Sequence, residues 1–103
     1  MTQDTYLHPP IEDVTLAEVL HALSDPLRLR IVKELRGDGE RGWGEFDAQV
    51  SPSTLSHHMK VLRAAGLILS RRDGTRCQVS LRRDVEARFP GLLATVTGLV
   101  ATE

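Results

Sequence analysis

The sequence predicts a mainly α domain with one small β-hairpin, its elements ordered helices, hairpin, helix. Three observations carry this. Two segments open with the same start signal, a capping residue followed by proline, at Asp25–Pro26 and Ser51–Pro52. Apolar residues recur at helical spacing through each of those segments. Asp73–Gly74, flanked by two short runs of β-type residues, is a hairpin signal. With 103 residues the chain holds one small domain and no second.

The elements follow in order. Residues 1–13 are mostly polar, contain Pro9–Pro10 and are expected to form a flexible N-terminal arm; residues 14–103 are then a single domain. A first helix starts at Thr15. Thr15 and Glu18 match the capping box, and Val14 with Val19 are placed as a hydrophobic staple. Leu16, Val19, Leu20 and Leu23 share one face. The second helix starts at Pro26, with Leu27, Ile31, Val32 and Leu35 as its buried stripe and Gly37 as its stop. GDGERGWG (37–44) holds four glycines and reads as a loop, followed by a helical turn near Glu45 to Gln49. A third helix runs from Pro52 to about Ala65 and stops at Gly66. In the hairpin, a two-residue Asp73–Gly74 turn sets Arg72 opposite Thr75, Arg71 opposite Arg76, Ser70 opposite Cys77 and Ile68 opposite Val79. A short helix is expected from Asp84, a break at Phe89–Pro90–Gly91, and an apolar helix to finish, the pair spanning about 84–101. This order is the winged helix-turn-helix arrangement, in which the helix before the hairpin enters the DNA major groove.

That helix divides into two faces. Leu55, His58, Met59, Leu62 and Ala65 form the core stripe, while Ser53, Ser56, His57 and Lys60 lie on the other side. His57 and His58 are adjacent, so they point about 100° apart and cannot converge on one metal ion. His58 is expected to be half-buried beneath the hairpin. The opposite face is short and hydroxyl-rich, which lets a backbone approach DNA closely and bond phosphates or base edges.

Charge is segregated. The net charge is −1, yet residues 1–50 hold five basic side chains against ten acidic ones, and residues 51–83 hold seven basic ones against Asp73 alone. An Arg71–Arg76 pair on one face of the hairpin, with Arg72 at its tip, costs stability unless a polyanion lies there. A lone cysteine, Cys77, excludes an internal disulfide framework and fits a reducing cytoplasm. It shares a strand face with Val79 and Leu81, which makes it a half-buried small side chain. MTQDTYLHPP has no basic-then-apolar pattern, so no signal peptide is expected, and the apolar run near Leu92 to Ala101 is too short to span a bilayer, so no membrane partner is expected. Leu92, Leu93, Val96, Leu99 and Val100 form a broad apolar surface suited to a dimer contact.

ALSDPLRLRIVKEL (22–35), STLSHHMKVLRAAGLI (53–68) and RRDGTR (71–76) together resemble the ArsR/SmtB family of bacterial winged-helix repressors. The resemblance implies a homodimer that binds a roughly palindromic double-stranded DNA operator and represses transcription. It implies that Ser53, Thr54, Ser56 and His57 meet DNA from the recognition helix, with Lys60 and the wing residues Arg71, Arg72 and Arg76 on phosphates. It also implies dimerisation through the first and last helices, here through Leu16 and Leu20 together with the C-terminal apolar residues. The family's cysteine motif would fall on DGERGWG (38–44), which has no cysteine, and the last helix has no histidine. His8, His21, His57, His58 and Cys77 show no ligand spacing, so neither a metal nor a cofactor is expected and the effector is unknown. No nucleophile, base and orienting acid are grouped, which excludes an enzyme. Two other readings use the same residues: a metal- or redox-responsive sensor acting through Cys77 or the scattered histidines, and a protein-interaction module built on the acidic half.

Overall fold

A computed structural model describes residues 7–46 and 49–100. A 3-10 turn at Ile11–Asp13 leads into α1 (Leu16–Ala22), capped by the Thr15 hydroxyl, which accepts from the Glu18 amide at 3.2 Å. Val14 and Val19 are both buried, as the staple requires. α2 (Pro26–Asp38) begins at Asp25, whose carboxylate accepts from the amides of Leu27 and Arg28 at 2.9 and 3.1 Å. Such a cap contributes about 1 kcal/mol. The helix passes through its predicted stop at Gly37 and ends at Gly39, whose φ of +79° supplies the left-handed residue that terminates it.

The segment predicted as a loop contains strand β1 (Arg41–Gly42). A 3-10 turn occupies Trp43–Glu45, and the helical turn predicted near Glu45 to Gln49 is centred on residues 47–48, which lie outside the described residues. α3 (Pro52–Ala64) starts at Ser51, whose hydroxyl accepts from the Thr54 amide at 3.2 Å, and the chain leaves it through Gly66. β2 (Ile68–Asp73) and β3 (Arg76–Leu81) complete an antiparallel sheet in the order β1-β3-β2. α4 (Asp84–Arg88) and α5 (Leu92–Val100) follow, separated at the expected Phe89–Pro90–Gly91 break.

The hairpin register differs from the predicted one. Asp73 pairs with Arg76, Arg72 with Cys77, Arg71 with Gln78, Ser70 with Val79 and Ile68 with Leu81. The central turn residues are therefore Gly74 and Thr75. Gly74 has φ of +66° and no other residue of the turn has positive φ, which is the type II′ pattern with glycine in the first central position. The alternative would force Asp73 into a left-handed conformation. Because the slip moves each partner by two residues, it leaves the same side chains on each face, and hydrophobic alternation cannot distinguish the two registers. Arg71 and Arg76 consequently do not face each other.

The core lies where α1, α2 and α3 meet the inner sheet face. Val19, Ile31, Val32, Met59, Leu62, Leu67, Ile68 and Val79 are fully or almost fully buried there. α5 lies on α2, where the Arg36 guanidinium donates to the Thr97 hydroxyl at 3.3 Å. The described part of the predicted flexible arm is docked: His8 Nε2 accepts from the Ser70 amide at 3.0 Å, and the Pro9 carbonyl accepts from Arg82. The His8 bond satisfies one amide on the edge strand β2 that would otherwise be unpaired.

Gly66 joins α3 to the sheet at φ of +89°, and a Cβ there would stand 2.3 Å from Val14 Cγ2. A Gly66→Ala substitution meets both a left-handed backbone penalty and overpacking, and is expected to cost about 3 kcal/mol. The urea midpoint measures it, and an unchanged midpoint would contradict the close approach.

Candidate nucleic-acid interface

α3 buries Met59 and Leu62 completely, and this rotation turns Ser53, Thr54, Ser56, His57 and Lys60 to the surface. At the start of the helix the Ser51 hydroxyl lies 3.1 Å from Ser53 Oγ and donates to Thr54 Oγ1 at 3.0 Å. Ser51 thus organises two of the predicted contact residues while it caps the helix. Ser56, His57 and Lys60 continue the exposed face along the next turns. All are short or flexible donors on the helix that precedes the hairpin, an arrangement able to approach a duplex closely.

His58 is half-buried, as predicted. It packs on the start of α2, where its Nδ1 accepts from Arg28 Nη1 at 2.9 Å and lies 3.8 Å from an Asp25 carboxylate oxygen. The two histidine rings, with centroids 5.7 Å apart and planes inclined at 59°, serve different surroundings. Arg28 was missed in the sequence, although a signal existed. Arg28, Ile31, Val32 and Leu35 fall at i, i+3, i+4 and i+7, and these four are the buried residues of α2. An arginine in that series is itself a sign of a buried partner.

The wing arginines divide. Arg71 donates through Nε and Nη2 to both carboxylate oxygens of Glu40, each at 2.7 Å. The Arg71 hydrogen bond and charge hold the Glu40 carboxyl below the ordinary carboxylate range, and Glu40 raises Arg71 in return. Arg72 and Arg76 are exposed near the tip, opposite Cys77 and Asp73 respectively. Arg82, counted within the basic segment, is buried and bonded to Asp84 and to the Pro9 carbonyl, so it has a structural role. Cys77 is half-buried.

The predicted dimer residues also divide. Leu16 and Leu20 are each 46% exposed and Leu99 is 70% exposed, while Leu92, Val96 and Val100 are half-buried. Leu93 is 4% exposed and belongs to the protein's own core, because α5 turns it toward the interior beside Thr97. It is not part of an exposed apolar face.

Among the described residues, no three His, Cys, Asp or Glu side chains gather closely enough to hold a metal ion. A cleft of about 840 Å³ opens between the end of α2, the outer sheet face and α4. Of the six charged groups on its walls, Arg36, Glu40, Arg82, Asp84 and Glu86 are bonded within the protein, and Arg83 is the sixth. No described helix is long and apolar enough to cross a membrane.

Residues 23–71 match the family model described as a helix-turn-helix domain. The chain is 38% identical over 89 residues to the uncharacterized HTH-type transcriptional regulator YceK of Bacillus subtilis, covering 82% of this chain and 89% of that protein. It is 39% identical over 74 residues to the HTH-type transcriptional repressor SmtB of Mycobacterium tuberculosis, covering 68% of this chain and 54% of SmtB. The fold is similar to the crystal structure of the transcriptional repressor BigR from Xylella fastidiosa, with a TM-score of 0.60 and 30% identity over 84% of this chain and 80% of that one.

The Glu40–Arg71 pair makes a direct test of this geometry. It persists above the ordinary carboxylate range and is lost as pH falls through the lowered Glu40 value. In Arg71→Ala the Glu40 carboxyl is expected to titrate back in the ordinary range, followed by carbon-13 NMR; an unchanged titration would show that the pair does not persist in solution.

Proposed function

The chain belongs to the ArsR/SmtB-type winged helix-turn-helix transcriptional regulators, and from that premise we propose that it is a cytoplasmic repressor binding a palindromic operator as a homodimer. The observation that carries this reading is the split of α3: one face is spent in the core, and the other presents Ser53, Ser56, His57 and Lys60 to solvent beside the hairpin. Serine, threonine and histidine donors suit base edges at close range, so Ser53, Thr54, Ser56 and His57 are the base-reading set. Lys60, Arg72 and Arg76 supply phosphate contacts, which add affinity and register rather than sequence choice. Arg71 joins them only by exchanging Glu40 for a phosphate. SmtB and BigR, to which the chain is similar, are transcriptional repressors, which supports the direction of regulation.

Dimerisation is assigned to Leu16, Leu20 and Leu99, with Leu92, Val96 and Val100 at their margins. Exposed leucines on the first and last helices of a small domain are the natural material of a two-fold contact. A two-fold dimer would set its recognition helices on half-sites about one DNA turn apart.

The test begins with a duplex from the region upstream of the protein's own gene, searched for an inverted repeat that the purified protein protects. On that duplex, Ser56→Ala or His57→Ala is expected to cost about 1–3 kcal/mol of specific affinity with little effect on nonspecific binding. Equal loss of both would remove His57 from the base-reading set. Arg72→Ala with Arg76→Ala is expected to weaken both and reduce the slope of log affinity against log salt by about 2.

The dimer is examined separately. Leu16→Glu combined with Leu99→Glu is expected to give a folded monomer in sedimentation, with loss of tight binding to the full repeat. A variant that still sediments as a dimer would move the interface elsewhere.

A further inference from the structure

We propose that Arg28 is a positioning residue that sets α3 against α2, and that it does so through His58 only while the imidazole is neutral. This rests on the reading of α3 as the DNA-reading helix, and adds what holds that helix at its working angle.

Arg28, on α2, ties that helix to two others through its guanidinium. Arg28 is 8% exposed, and its Nε donates to the Ala22 carbonyl at the end of α1 at 2.6 Å. Its Nη1 meets His58 Nδ1 on α3 at 2.9 Å, while its backbone amide is held by Asp25 at the start of α2. Arginine has only donors, so Nδ1 must be the acceptor and the proton of the neutral ring must sit on Nε2. A proton added to Nδ1 would turn this contact into two opposed donors and two cations. The His58 side chain is 13% exposed, so water offers little screening.

The groups facing His58 are Arg28 and Asp25 on α2 and His57 on its own helix. Asp25 favours the protonated ring, but its nearest oxygen is 3.8 Å from Nδ1 and is already the cap acceptor for Leu27 and Arg28. A protonated His58 can therefore satisfy itself only by turning from Arg28 toward Asp25. That movement breaks the side-chain tie between α3 and Arg28, and with it part of what seats the helix carrying Ser56 and His57 on α2. Protonation of His57 acts in the opposite sense on DNA affinity, since it adds a cation to the exposed face.

Asparagine separates the two histidines. In His58→Asn the side-chain oxygen occupies nearly the place of Nδ1, accepts from Arg28 and cannot be protonated. At pH 7.5 this variant is expected to keep operator affinity near that of the parent. On acidification from pH 7.5 the parent is expected to lose about tenfold in affinity relative to His58→Asn, the scale of one hydrogen bond to a charged group. His57 is present in both proteins and cancels in the ratio. Without DNA, nitrogen-15 NMR of the parent at pH 7.5 is expected to show the Nε2–H tautomer, with α3 amides shifting together on acidification in the parent but not in His58→Asn.

Matching pH profiles in the two proteins, or an Nδ1–H tautomer in the parent, would overturn the proposal. The tautomer measurement needs no substituted protein, so it decides even if His58→Asn fails to fold. Absence of operator binding with the expected tautomer and α3 shifts would support the positioning role and count against the DNA-reading assignment alone.

Discussion

The burial of Met59 and Leu62 is the constraint on which the rest of this molecule depends. Both side chains are sealed between α1, α2 and the sheet, and a helix with two such anchors one turn apart has no freedom to rotate. That single orientation makes Ser53, Ser56, His57 and Lys60 outward-facing and turns His58 toward Arg28. It also brings the chain out of α3 through Gly66, against Val14, where no side chain fits. The recognition surface and the core are two consequences of the same packing.

Electrostatics acts on a finer scale than charge counting suggests. The basic segment from residue 51 to residue 83 is a real feature of the composition, but its members have different occupations. Arg82 is buried against Asp84 and the arm, and Arg71 is engaged by Glu40 from the other half of the chain. The acidic half therefore reaches into the basic segment: one of its carboxylates holds a wing arginine that the proposed phosphate contact would need. Such an exposed pair adds little to stability, and its main effect is to set where the arginine rests. Lys60, Arg72 and Arg76 remain at the surface near the recognition face.

Most helices were legible because their boundaries are written locally. Thr15, Asp25 and Ser51 each accept the amide bonds that their positions demand, and the prolines after Asp25 and Ser51 occupy sites where a missing amide costs nothing. The outward face of α3, the proposed recognition surface, was legible as exposed for a related reason, since its residues alternate with the core stripe at the helical period. Three features were not. The hairpin register escaped because a two-residue slip preserves which side chains face inward. β1 escaped because two residues beside glycines carry no strand signal of their own and depend on β3 for their pairing. Arg28 escaped because its burial is compensated by groups 6 and 30 residues away.

Taken alone, the sequence determined the order of the helices and the hairpin, the capped helix starts and the two faces of α3, because caps and periodicity act within a few residues of one another. Tertiary structure alone decided that Arg71 is held by Glu40, that Leu93 belongs to the core rather than to an exposed face, and that His58 meets Arg28. Each of these joins groups far apart in the chain, and a hydrogen bond or a buried contact depends on distances that only the packed fold establishes.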